Sequence, residues 1–398
     1  MSAAVALLAG ALAALLQLAG GLMTAPPFVA LPFDVTLVAL LMLLPLLALL
    51  AVTRRWALEP ALSLPIAAAA LLALWFVAAG SWTASRSVAA AKLHEVVLAA
   101  PVMLAVGLLV GAEPRARAAL VVTSVLIGLG LVALIAWGVA SGPAALLAGG
   151  EARLHHQLAG LALAIAAGLA ALRVVEVRGA ARALWLALVL ALAAAALIPG
   201  GRTALIALGL GVALVPALRF VLDGRVVAAV GWIAACGVAL TLALLILALH
   251  PAEAQGLRTL RRLTVEVAGF EARLGLWSAA LDWAGEAAPF GLGPGGFSIA
   301  AGHGERRGLY PHNHALEALA EAGLPGLLLW LGAFGGGLVV ALRALRRVAP
   351  HRAAEIAAMV LPVALTVMVS TDLGNRMAWF ALGLALSLGV ASREARHV

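Results

Sequence analysis

Apolar residues run through this chain in long, nearly unbroken blocks, and the polar residues gather in short intervals between them. Val35–Val52, Val96–Gly111, Val226–Leu249 and Leu324–Leu342 are examples, each near the ~20 residues that cross a hydrocarbon core. The pattern predicts an all-α polytopic membrane protein with about 12 transmembrane helices. Their approximate positions are 3–23, 31–52, 61–80, 96–112, 118–140, 158–172, 183–199, 203–218, 226–249, 324–342, 354–370 and 377–391. Ala3–Leu22 lacks a basic leading segment and reads as a retained span rather than a cleaved signal. Residues 1–398 read as a single integral membrane domain, interrupted late by one large loop at about 250–311.

Composition reinforces the membrane assignment. Hydrophobic residues make up 65% of the 398 and charged residues 11%, whereas soluble domains are roughly half apolar and about a quarter charged. One cysteine, Cys236, excludes an intrachain disulfide and a multi-cysteine metal site. The net charge of +8 comes from basic residues scattered over short loops, which supplies no continuous face for nucleic acid.

Charge does set a topology. With twelve spans both termini share a side. The loops on that side hold 15 of the 26 Lys and Arg residues, including Arg54, Arg115, Arg173, Arg219 and Arg346. The short loops opposite hold five, namely Arg86, Lys92, Arg153, Arg202 and Arg376. The positive-inside tendency places the richer set and both termini in the cytoplasm, so the large loop faces outward. Within it, Leu257–Leu263 and Phe270–Trp283 carry apolar residues at helical spacing, as interfacial segments packed on the bundle would.

Three patterns on the outward side carry candidate chemistry. Pro199-Gly200-Gly201-Arg202-Thr203 is a tight junction that puts Arg202 beside a helix N-terminus, suited to phosphate oxygens; the plain alternative is an arginine snorkelling to headgroups. Arg273 and Trp277 share a helix face, and Gly291-Leu292-Gly293-Pro294-Gly295-Gly296-Phe297 follows as either an anion nest or a compact turn. Finally, Pro311-His312-Asn313-His314 reads as a helix start with Asn313 as N-cap, Glu317 in the first turn, and Gly323 and Pro325 ending the helix. There His312 is placed to act as a general base. A purely structural histidine is one rival, and a metal held by His312, His314 and His303 is another, although His-x-His alone fixes no ligand geometry.

In this order, Gly201-Arg202-Thr203, Arg273-x-x-x-Trp277, the glycine run and His312-Asn313 followed by Gly323-x-x-Gly326 resemble the O-antigen ligase and polymerase superfamily of membrane glycosyltransferases, ligase-like in the last spacing. The resemblance implies a GT-C-like architecture in the bacterial inner membrane, with a periplasmic active site. It implies metal-independent, cofactor-free transfer of a glycan from an undecaprenyl-diphosphate carrier to an acceptor hydroxyl, a lipid A–core sugar for the ligases. A repeat-unit polymerase and a protein O-oligosaccharyltransferase are variants within the superfamily. Mapped residue by residue, Arg202 and Arg273 bind the donor diphosphate and His312 activates the acceptor. Asn313, Trp277, His314 and Arg153 join the substrate surface, with Arg306, Arg307 and Arg376 as secondary candidates.

A transporter is the main competing class. It predicts ionisable residues lining a path through the span interiors, and the predicted interiors are nearly devoid of them. A structural scaffold predicts no need for Arg202, Arg273 and His312 together.

Overall fold

Backbone in hydrocarbon must satisfy its own N–H and C=O groups, so the apolar runs become helices. The computed structural model describes residues 3–22, 30–141, 156–250, 257, 259 and 268–394. In chain order these form α1 (Ala3–Leu18), α2 (Val35–Thr53), β1 (Arg54–Leu58), α3 (Ser63–Ala79), α4 (Ser87–Ala112) and α5 (Pro114–Ser141). There follow α6 (His156–Glu176), α7 (Ala180–Ala196), α8 (Arg202–Leu222), α9 (Val226–Leu249), α10 (Ala268–Glu286) and α11 (Gly296–Ala300). The chain continues through α12 (His314–Ala344), α13 (Pro350–Val369), α14 (Arg376–Leu386) and β2 (Val390–Glu394). Among the described residues, nine helices are long and apolar enough to cross a membrane, and α1, α7 and Arg376–Gly389 are shorter apolar helices.

Small residues set the packing. Helix α6 is the most enclosed of the nine, with Ala159 and the whole of Leu161–Leu172 buried, and it contacts α5, α7, α8 and α13. Gly160 faces Ala204 of α8, and Gly128 of α5 faces Ala166. Elsewhere Gly383 of α14 lies so close to α4 that an added Cβ would stand 2.1 Å from the Leu104 carbonyl. Backbones approach this closely only where side chains are minimal. By contrast α9 is exposed along its length, with Val227 at 87%, as a helix against lipid would be.

The helical expectation holds, with one short antiparallel ribbon added, in which β1 and β2 pair Arg54 with Glu394 and Leu58 with Val390. Other expectations need correction. Helix α4 begins at Ser87, well before residue 96, and makes a π-helical turn at Glu95–Ala99. Lys92, assigned by sequence to a loop, is therefore inside a helix and 3% exposed. Its Nζ donates to Glu317 Oε1 at 2.5 Å and to Glu321 at 2.7 Å, both on α12. The helix interiors thus do hold ionisable groups, assembled as a buried triad because an isolated charge there is costly. Asn313 does cap α12, but Gly323 (φ 66°, ψ −163°) kinks that helix where sequence ended it, and the chain continues helical to Ala344. Helix α10 spans the expected 270–283 segment, whereas most of 257–263 lies outside the described residues.

Candidate active site

The Pro199–Gly201 junction delivers Arg202 to the first position of α8. Gly200, at φ 96°, makes the turn, and Thr259 of the large loop pins it. The Thr259 hydroxyl accepts from the Gly200 N–H at 2.9 Å and donates to the Ala196 carbonyl at 3.0 Å.

Helix α10 brings Arg273 to the same place. Ala280 of α10, Phe297 of α11 and Ala320 of α12 form a small core of their own, flanked by Leu276 and Leu316. Arg202 and Arg273 then line one cavity of about 80 Å³, with Gln157, Thr203, Thr366 and Ser370 among its other walls. Two guanidiniums, hydroxyls and an amide around so small a space suit an anion with several oxygens.

Ser370 links this cavity to His312. Its hydroxyl accepts from Gln157 Nε2 at 3.4 Å, and its carbonyl accepts from His312 Nδ1–H at 3.4 Å and from the Tyr310 hydroxyl at 3.3 Å. A carbonyl only accepts, so Nδ1 carries the proton and Nε2 keeps its lone pair, the tautomer a base requires. The ring stacks obliquely on Tyr310, with centroids 4.1 Å apart. Burial pushes the imidazole below its ordinary pKa; the Ser370 carbonyl and Asp372 oppose this, and the positive charge of Arg273 adds to it. The backbone of His312 is left-handed (φ 55°), an uncommon state for a residue with a side chain and one often held at functional positions. Burial likewise pushes the Tyr310 phenol up, which keeps it a neutral donor.

The other expected residues fall in different places. Asn313 is structural on both sides: Oδ1 accepts from the Leu316 N–H at 3.1 Å, and Nδ2 donates to the Met368 carbonyl at 3.0 Å. Trp277 follows Arg273 on α10 but does not border the cavity, and its Nε1 has no hydrogen-bond partner among the described residues. His314 is fully buried against Phe334, with Nε2 3.0 Å from the Thr371 hydroxyl. It is not on the cavity wall, because its ring packs between Phe334 and Thr371 instead. Arg153 lies outside the described residues. Among those described, no cluster of three His, Cys, Asp or Glu side chains is placed to hold a metal ion.

The glycine run is a packing turn. The Leu292 N–H donates to the Ala320 carbonyl and the Gly293 N–H to the Glu321 carbonyl, at 2.9 and 2.8 Å, so these groups hold the α12 kink rather than an anion. Sequence reasoning missed Ser370, Tyr310 and Asp372. The polar run Ser370-Thr371-Asp372 after an apolar segment was the available signal, and only the fold brings it beneath His312.

Residues 186–331 match the family model for O-antigen ligase. No curated protein matches the chain. The matched stretch contains Arg202, Arg273 and His312, and residues 186–331 of this membrane chain are similar to the O-antigen ligase family.

Proposed function

We propose that the protein is a membrane glycosyltransferase of the ligase type. It moves a glycan from undecaprenyl diphosphate to an acceptor hydroxyl, that of a lipid A–core sugar, at the outer face of the bacterial inner membrane. The observation that carries this reading is the shared cavity: Arg202 and Arg273 line it, and Ser370 on the same wall orients His312. In this scheme the guanidiniums hold the diphosphate. The acceptor oxygen attacks the anomeric carbon, the bond from that carbon to the diphosphate oxygen breaks, and the lipid diphosphate departs with the bond's electrons. The acceptor proton passes to Nε2 of His312. Arginines already in place stabilise charge growing on the leaving group without reorganisation, so the transfer needs no metal.

The three shorter apolar helices complete twelve crossings in this reading, with both termini cytoplasmic. The test is transfer by purified protein in vesicles, supplied with undecaprenyl-diphosphate-linked glycan and either lipid A–core or a protein acceptor. Product on lipid A–core, undiminished by EDTA, supports the reading. Loss of transfer in EDTA, or product only on protein, refutes it.

A further inference from the structure

The segment that carries His312 is fastened to one helix at both ends. Upstream, Glu305 reaches back to the start of α4. Its carboxylate accepts from the N–H groups of Arg86 (2.6 Å), Ser87 (3.1 Å) and Val88 (2.9 Å), and from the hydroxyls of Ser85 (3.1 Å) and Ser87 (2.5 Å). The first turn of a helix has unsatisfied N–H groups and a partial positive charge. No side chain of α4's own N-cap fills that role; a residue from the large loop does. The bonds from Ser87, Arg86 and Val88 hold the Glu305 carboxyl down at about 2, so the contact keeps its charge at any physiological pH. Arg307, two residues on, pairs with Glu95 of the same helix.

Downstream, Lys92 of α4 binds Glu317 and Glu321 on α12, the helix that starts directly after Asn313. Glu317 does more than pair with Lys92. Its second oxygen accepts the Leu373 N–H at 2.8 Å, and Leu373 belongs to the turn that presents the Ser370 carbonyl to His312. The first two turns of α4 therefore hold the loop before the imidazole, the helix after it and, through Glu317, the turn beneath it.

We propose that Glu305 and Lys92 are positioning residues, which clamp the His312 segment onto α4 and so hold its imidazole against Ser370 in the orientation that transfer requires. This rests on His312 being the base. Neither residue borders the cavity, so neither acts on the donor directly. A displacement of about 1 Å at a reacting group can cost on the order of a hundredfold in rate.

The experiment compares Glu305→Ala, Glu305→Gln and Lys92→Met with wild type and with Glu59→Gln, which breaks the exposed Arg347–Glu59 pair. Two readouts are taken in vesicles: transfer kinetics, and the rate of diethyl pyrocarbonate modification at His312, located by peptide mass spectrometry. Glu305→Ala is expected to lower kcat about tenfold or more with donor KM unchanged, and to change the His312 modification rate severalfold. Glu305→Gln, which keeps an acceptor oxygen, loses less, and Glu59→Gln matches wild type. Unchanged kcat and unchanged His312 reactivity in Glu305→Ala would overturn the clamp even if Lys92→Met fails to fold. A fall confined to KM would also overturn it. If the wild type transfers no glycan, the proposed function fails, and His312 reactivity still decides the clamp.

Discussion

His312 Nδ1 stands 3.4 Å from the main-chain carbonyl of Ser370, a residue that borders the cavity shared by Arg202 and Arg273. That contact joins a prospective base to a prospective anion site through one residue at the end of α13. It also fixes the tautomer, leaving Nε2 available for a proton.

The two arginines should be separable from the base by what they bind. Arg202→Ala and Arg273→Ala are each expected to weaken donor binding or transfer by roughly tenfold to a hundredfold, the loss of a charge-assisted hydrogen bond. Lysine should restore little, because a point charge does not reproduce a planar fork. The double variant should lose less than the product of the single effects, since both groups face one cavity. Titration with inorganic diphosphate and with the lipid-linked donor checks this.

The pH profile follows from the environment of His312. Its pKa lies below the ordinary value, with burial the first cause, so the neutral, base-competent form prevails at pH 7. Transfer should be flat above neutrality and fall as pH drops through the lowered pKa. Arg273→Gln removes a positive neighbour that disfavours the imidazolium. The acid limb of its residual activity should therefore move to higher pH, as single-turnover rates against pH will show.

Asn313 serves stability more than chemistry. Asn313→Ala removes the α12 cap and leaves the Met368 carbonyl without its donor, a cost of about 1–2 kcal/mol. Asn313→Asp keeps the capping oxygen but loses the donor, and should fall between. Thermal unfolding in detergent orders the three proteins.

Gly323 should tolerate no side chain. At φ 66° and ψ −163° only glycine is comfortable, and an added Cβ would meet the Pro289 carbonyl at 2.1 Å. Gly323→Ala is expected to cost about 3 kcal/mol or more and to abolish monodisperse protein. Gly335→Ala, with nothing near its added Cβ, should behave as wild type by size-exclusion chromatography.

These contrasts show how much the sequence could reveal. Arg202 and Asn313 were legible because a Gly-Gly turn and a helix cap are local, and a cap geometry depends on a few neighbouring residues. Arg273 was legible as a motif, but its meeting with Arg202 needed α10 to dock on α12. Lys92 was misplaced because its partners lie 225 and 229 residues away; without them a lysine reads as a loop residue. The ribbon joining Arg54–Leu58 to Val390–Glu394 is invisible for the same reason. His314 was placed on the substrate surface through the family resemblance, yet the entry to a helix turns successive side chains in different directions.

The most direct test of the account is the transfer rate of His312→Ala protein, measured beside wild type in vesicles with lipid-linked donor and lipid A–core acceptor. Both proteins should insert alike and bind donor alike, because Arg202 and Arg273 are untouched. The account predicts a rate lower by about a hundredfold to ten-thousandfold, the usual worth of a general base. A His312→Ala protein that transfers glycan at the wild-type rate would contradict it.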